Sequence, residues 1–352
     1  MSPQVGARVL GRVAVTERLG ALHWVTVEVP SWESGSDPGR PGPGQFALLQ
    51  AEPSRCFLPR AFSISDYEGG LVSFLIAPVG HGSRELCELP AGAEVWVLGP
   101  LGRGFDLGTI AAARTSAARP QAKMPARLVI VAGGAGLAPF PFLLRRLGGM
   151  APAGPVGVWA NGEGFDEILV LLGYRESTQV AGGRPVHIAA ERLRERGVDC
   201  RVLEISEDGS TGRAGLVTSL LSEHLRSGDR VVVCGPGAMA EAVREICQET
   251  PDVRTWFSLE AGMACGVGAC HGCVVPLADG TMARVCHEGP VFPGETIFSS
   301  GGGLGTGATL GGAALGTEVS PGTEAAASRH PLVIGEAPTT GAASAGSEMA
   351  RP

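Results

Sequence analysis

Lysine is almost absent from this chain: its 352 residues include one, Lys123, against 27 arginines. That bias reads as genomic and carries no functional content. Net positive charge is missing as well. A formal charge of −7 and a pI near 5.6 argue against a nucleic-acid partner. Apolar residues make up 44%, yet no apolar run approaches the ~18 residues of a membrane-spanning helix. Met1-Ser-Pro-Gln-Val-Gly6 offers neither a basic nor an apolar export segment. The expected location is therefore a reducing cytoplasm, where the nine cysteines would not form disulfides. No convincing Ser/His/Asp or Cys/His catalytic set is present, and no catalytic acid or base is assigned. Cys56, Cys87, Cys200 and Cys247 read as small buried hydrophobes.

What is present falls into zones, and the length allows two or three domains. Residues 1–107 carry short β runs: Arg8–Val15, Leu22–Val29, Gln45–Gln50, Leu71–Ala77 and Glu94–Leu98. No stretch there has a helical period, so a small antiparallel barrel is expected. Residues 108–126 are polar and aperiodic and read as a linker. From 127 to 255, strands at 127–132, 156–159, 167–172, 200–205 and 230–234 alternate with helices at 139–147, 185–197, 215–226 and 237–249. That alternation predicts a doubly wound parallel sheet. Residues 256–298 hold a cysteine-rich segment. Residues 299–352 are rich in Gly, Ala, Ser and Thr and read as a disordered tail. The expected fold class is multidomain β plus α/β.

Cys265, Cys270, Cys273 and Cys286 are spaced C-x4-C-x2-C-x12-C. The first three match a plant-type ligand pattern for a [2Fe–2S] cluster. Gly266, Gly268 and Gly272 suit a loop that must wrap a cluster closely. A structural zinc site would pair Cys270-x2-Cys273 with a second such pair, and none follows. His271 reads as a solvated loop residue, because four thiolates complete the site.

Three further segments suit nucleotide cofactors. In Arg60-Ala-Phe-Ser-Ile64, placed at the close of the third barrel strand, Arg60 offers a fork to a flavin pyrophosphate and Ser63 a hydroxyl to the flavin N5 edge. On these residues alone, an exposed Arg and an ordinary strand Ser are equally good readings. Gly80-His-Gly-Ser83, with Gly82 and Ser83, offers backbone amides to a phosphate. Gly133, Gly134, Gly136, Ala138 and Pro139 lie between a strand and a helix, the place for a nucleotide phosphate. Cys234, Gly235 and Pro236 end what reads as the last strand of the sheet, at the same carboxyl edge. Asp208–Gly215 is a Gly-rich turn that borders the dinucleotide or merely caps a helix.

Taken together, these segments resemble the ferredoxin–NADP reductase superfamily. Leu259 to Gly294, including Cys286-His-Glu-Gly-Pro-Val-Phe292, narrows the likeness to the iron–sulfur electron-transfer subunits of class B dihydroorotate dehydrogenases. The resemblance covers about residues 8–298 and implies FAD, a [2Fe–2S] cluster and NAD as cofactors. It places Arg60, Ala61, Phe62, Ser63, Leu75, Ile76, Ala77, Gly82 and Ser83 at the flavin. The family usually has Pro at the position of Ala61 and often Arg at that of Ala77, which puts one phosphate contact in question. The region 161–200 is longer than the family leads one to expect, adding a helix at 185–196. An FMN-containing dihydroorotate dehydrogenase catalytic subunit is the implied partner, in a heterotetramer of two of each, without nucleic acid or membrane. Two alternatives stand at this stage. One is a related reductase subunit of a hydrogenase, transhydrogenase or other dehydrogenase. The other is a redox-sensing subunit without turnover.

Overall fold

The computed structural model describes residues 8–33, 39–112, 127–149, 165 and 167–298. The expected strand at 156–159, most of the expected linker and the whole tail lie outside the described residues.

Six strands close the N-terminal barrel: β1 (Arg8–Leu19), β2 (Leu22–Glu28), β3 (Phe46–Glu52), β4 (Arg60–Glu68), β5 (Leu71–Ile76) and β6 (Glu94–Leu101). Their order is β1-β2-β5-β4-β3-β6, with β6 pairing back to β1. All neighbours run antiparallel. Period-two alternation explains the closure. Ala47, Leu49 and Ala51 of β3, Val72, Phe74 and Ile76 of β5, and Val95 and Val97 of β6 share one core. Parts of the opposite faces are also covered. Phe46 and Leu48 join a second core, and Leu75 a third.

Two expectations need correction here. Arg60–Ile64 opens the fourth strand and does not close the third. The barrel segment also contains a helix, α1 (His81–Cys87). At seven residues it is too short for a visible period, although Gly82, Ser83, Leu86 and Cys87 form its buried stripe. Another short helix, α2 (Leu107–Ala112), follows the barrel where linker was expected. The Asp106 carboxylate accepts from the Thr109 N–H at 3.2 Å, which caps that helix.

The second sheet begins at β7 (Arg127–Gly133), followed by α3 (Phe140–Leu147), β8 (Glu167–Tyr174), α4 (Ser177–Val180), α5 (Arg184–Glu195), β9 (Asp199–Ser206), α6 (Val217–His224), β10 (Arg230–Cys234), α7 (Gly237–Gln248) and β11 (Arg254–Ser258). Strand β7 is buried along its whole length. Leu128, Ile130 and Ala132 pack toward α3 and α5, while Val129 and Val131 pack toward α6 and α7. A strand apolar on both faces, covered by helices on both, defines the doubly wound arrangement.

The remaining elements are the hairpin β12 (Val274–Pro276) with β13 (Met282–Arg284), then β14 (Val291–Pro293) and α8 (Gly294–Ile297). The sheet order is β14-β11-β10-β7-β8-β9. Strand β10 is thus not the last strand, as the sequence suggests. Strand β11 runs parallel beside it, with Cys234 opposite Ser258, and β14 adds an antiparallel edge. The cysteine segment is therefore tied into this sheet at both ends. No described helix is long and apolar enough to cross a membrane.

Candidate functional site

The four cysteines lie on a loop between β11 and the hairpin, and just before β14. The loop turns through left-handed conformations at Gly266 (φ 68°), Gly268 (φ 80°) and His271 (φ 58°). These turns aim backbone N–H groups at sulfur. Gly268 donates to Cys286 Sγ at 3.1 Å, Cys270 to Cys265 Sγ at 3.4 Å, Gly272 to Cys270 Sγ at 3.4 Å, and Cys286 to Cys273 Sγ at 3.5 Å. The thiols also meet in two pairs, Cys265 with Cys270 and Cys273 with Cys286.

Their environments differ. Burial opposes ionisation of Cys265, yet the amides of Val267, Cys270 and Ala269 outweigh it and bring the thiol down to about 6. Burial, together with the neighbouring Cys273, pushes Cys286 up to about 12. Cys270 faces solvent, whereas Cys273 and Cys286 are buried. Among the described residues no three Cys, His, Asp or Glu side chains form a group that could hold one metal ion. Two thiol pairs, each served by backbone donors, suit a two-iron cluster with two thiolates per iron. His271 is exposed, as a solvated loop residue should be.

The cluster loop rests on the barrel. A Cβ added to Gly266 would lie 2.8 Å from Leu48 Cδ1 and 3.2 Å from Leu101 Cδ1. Leu48 is the register partner of Ala61 on β4. The loop therefore sits one strand away from Arg60–Ser63. Cys273 and Cys286 belong to the same core as Phe46, Leu48 and Leu101, and Ala61 packs against it. A second tie joins the barrel end to the cysteine segment: Arg103 N–H donates to the Gly289 carbonyl at 2.5 Å, and Val291 N–H to the Arg103 carbonyl at 3.2 Å.

The expected flavin residues cluster on β4, β5 and α1. Arg60 Nη1 donates to the Leu58 carbonyl at 2.8 Å. Its side chain lies over Gly82, where a Cβ would stand 3.1 Å from Arg60 Nε. Arg60 and the Gly80–Ser83 turn thus form one surface. Ser83 is buried, and its hydroxyl accepts from Gly80 N–H at 3.0 Å and donates to the Gly80 carbonyl at 3.1 Å. Its visible role is to cap α1. Phe62 and Ser63 are half-buried on β4, and Ala77 packs beyond the end of β5. Leu75 and Ile76 are buried, and Leu75 N–H donates to Ser65 Oγ at 3.0 Å.

The two nucleotide motifs meet at the carboxyl edge of the sheet. A Cβ on Gly136 would fall 2.3 Å from the Cys234 carbonyl oxygen, so only glycine fits there. Gly134 is left-handed, with open space on the side where a Cβ would point. Ala138 is buried, and Pro139 sits at the cap of α3. Gly235 and Pro236 lead into α7, and Met239 of that helix crowds both Gly133 and Gly235. Cys234 is buried, which raises its thiol well above the ordinary range, and it bonds Ser258 across the β10–β11 pair.

Sequence reasoning missed Glu260, two residues past β11. Its charge reaches Cys234, and dense surrounding protein lifts its carboxyl to about 7 although it keeps a solvent-facing surface. The available signal was its place just beyond a strand end on the nucleotide edge. The Asp208–Gly215 turn is internally bonded, with Asp208 Oδ1 accepting from Ser210 N–H at 2.9 Å and Ser206 Oγ from Thr211 N–H at 2.9 Å.

Known proteins share this arrangement. Over 83% of the chain the fold follows an NADH-dependent reduced ferredoxin–NADP oxidoreductase (TM-score 0.61, 21% identity, 91% of that chain). Over 69% it follows a ferredoxin–NADP+ reductase from Neisseria gonorrhoeae (TM-score 0.51, 15% identity, 91% of that chain). The fold is thus that of the ferredoxin–NADP reductases. Residues 130–245 match the oxidoreductase NAD-binding domain, and residues 260–298 match the iron–sulfur cluster binding domain of dihydroorotate dehydrogenase B. The electron transfer subunit of dihydroorotate dehydrogenase B (NAD(+)) from Caldanaerobacter subterraneus subsp. tengcongensis is 31% identical over 74% of this chain and 88% of the relative. Its counterpart from Listeria monocytogenes serovar 1/2a is 32% identical over 72% and 87%. The chain belongs to the family of dihydroorotate dehydrogenase B electron transfer subunits.

Proposed function

We propose that this chain carries electrons from a partner FMN-containing dihydroorotate dehydrogenase to NAD+ in pyrimidine biosynthesis, as half of a cytoplasmic two-plus-two heterotetramer. When bound, the [2Fe–2S] cluster supplies one-electron transfer, and FAD supplies the exchange between single electrons and the hydride of NAD+. Cys265 with Cys270, and Cys273 with Cys286, would hold one iron per pair. Arg60 and the Gly80–Ser83 turn would bind the flavin pyrophosphate, with Ala61, Phe62 and Ser63 along the isoalloxazine and Leu75, Ile76 and Ala77 on the neighbouring strand. Gly133–Pro139 and Cys234–Pro236 would take the dinucleotide. In this reading residues 1–107 form the flavin barrel, 127–255 the NAD domain and 256–298 the cluster segment.

The observation that carries this reading is the seat of the cluster loop. Gly266 rests on Leu48, and Leu48 pairs with Ala61. Two short steps of packed protein join the cysteine loop to the flavin strand. The base that oxidises dihydroorotate is assigned to the partner.

An anaerobic NADH titration of the purified full chain, followed by visible absorbance and EPR, tests this. Flavin bleaching with a reduced [2Fe–2S] signal supports it. A cluster spectrum that ignores NADH sinks it. Cys270→Ser should lose the cluster and partner-linked NAD+ reduction yet retain FAD, and full partner-linked reduction in that variant would also defeat the conduit.

A further inference from the structure

Strand β13 ends at Arg284, two residues before Cys286, and its side chain turns back onto the cysteine loop. Arg284 Nη1 donates to the Gly268 carbonyl at 3.0 Å. The same residue, Gly268, gives its own N–H to Cys286 Sγ at 3.1 Å. The left-handed Gly268 is thus pinned from both sides. There is little slack: a Cβ at 268 would lie 3.3 Å from Arg284 Nη1 and 3.1 Å from His287 Cβ.

The other edge of the guanidinium faces Glu288. Nε donates to Oε2 at 3.1 Å and Nη2 to Oε1 at 2.5 Å, while the Arg284 backbone N–H reaches Oε2 at 2.7 Å. His287 Nδ1 lies 2.8 Å from Oε1. The Arg284–Glu288 pair is only partly exposed, at 30% and 34%, so solvent does not screen it fully. A cation and an anion therefore stand side by side at the buried pair of thiols, with the cation bonded to the loop.

We propose that Arg284 and Glu288 form a charge pair that sets the reduction potential of the cluster, Arg284 raising it and Glu288 lowering it. Arg284 also positions the Gly268 N–H on Cys286. The inference rests on reading Cys265, Cys270, Cys273 and Cys286 as cluster ligands. One-electron reduction adds a negative charge to the cluster. A nearby cation favours that state and a nearby carboxylate disfavours it. Fewer or weaker hydrogen bonds to sulfur also lower the potential. Removing either member of the pair therefore moves the potential in opposite directions, which a purely structural clamp would not do.

The experiment is an EPR-monitored redox titration of the purified full chain, with dithionite as the electron donor. Wild type is compared with Arg284→Gln, Arg284→Lys and Glu288→Gln, and iron and sulfide are assayed in each. The midpoint should fall in Arg284→Gln, rise in Glu288→Gln and lie near wild type in Arg284→Lys. The expected size is about three- to tenfold in the reduced-to-oxidised ratio at fixed poise, the upper end being 59 mV for a one-electron couple. Unchanged midpoints, shifts of the same sign in Arg284→Gln and Glu288→Gln, or cluster loss in both Arg284→Lys and Glu288→Gln would overturn the proposal. A wild-type chain that binds no two-iron cluster would overturn the ligand reading itself, a separate and visible failure.

Discussion

Gly266 of the cysteine loop lies so close to Leu48 of the barrel that a Cβ at 266 would stand 2.8 Å from Leu48 Cδ1. Leu48 is 2% exposed and has little room to yield. The glycine is also left-handed, a conformation that costs an ordinary residue about 1–2 kcal/mol. Gly266→Ala should therefore destabilise the chain by roughly 1–3 kcal/mol and lower cluster content. Gly262→Ala, with nothing within 4 Å of the added carbon, is the control and should be near neutral. Urea midpoints and iron content read both. Equal stability of the two variants would mean that the loop does not depend on this contact.

Arg60 tests the flavin site independently of the cluster. Its guanidinium lies beside Gly82 of the Gly80–Ser83 turn, where the proposed flavin pyrophosphate would sit. Arg60→Ala removes a charge-assisted fork. The variant should purify flavin-poor while keeping its iron. Full flavin occupancy, read from the visible spectrum after purification, would place the flavin elsewhere.

A partly buried ion pair joins the barrel to helix α3. Arg145 on α3 is 5% exposed and holds Asp66 on β4 at 2.8 and 2.9 Å, with Glu68 at 2.9 Å. Asp66→Ala strands much of that cation. Breaking a buried pair by removing one partner costs about 3–5 kcal/mol, and the part exposure of Asp66 with the remaining, largely exposed Glu68 contact should hold the loss to about 3 kcal/mol. The companion pair Arg184–Glu17 is open to solvent at both ends, and Glu17→Ala should cost less than ~1 kcal/mol. Denaturant midpoints of the two variants decide. Equal costs would show that burial of Arg145 does not set the strength of the contact.

Much of this was legible in the sequence because the signals were local. Cys265, Cys270 and Cys273 share one loop, and the strand-to-glycine step at Ala132–Gly134 needs no distant residue to be read. Strand β7 was visible as a continuous apolar run, since helices bury both of its faces. What stayed hidden depended on contacts between distant segments. Strand β11 straddles the expected boundary at 255/256 and goes unread as a strand until its pairing with β10 is seen, because Arg254–Ser258 carries no mark of its neighbour. Helix α1 is too short to show a period. The link from Gly266 through Leu48 to Ala61 spans three separate stretches of chain, and spacing alone cannot supply it.

Glu260 supplies a pH dependence whose sign follows from its surroundings. Burial raises its carboxyl to about 7, from the ordinary 4.5. Between those values the unfolded chain has released the proton and the folded chain keeps it. Stability therefore falls as pH rises through that window. The contribution is complete below the ordinary carboxylate value and gone once pH has passed about 7. Its solvent-facing surface keeps the effect modest. Glu260→Gln cannot ionise and should flatten the decline. Urea midpoints of wild type and variant at half-unit steps from pH 5 to pH 8, in steps set by the window itself, should diverge progressively toward the alkaline end, with the variant the more stable there. Parallel profiles would mean that Glu260 is already ionised in the folded protein, and that its carboxyl is far better solvated than its surroundings imply.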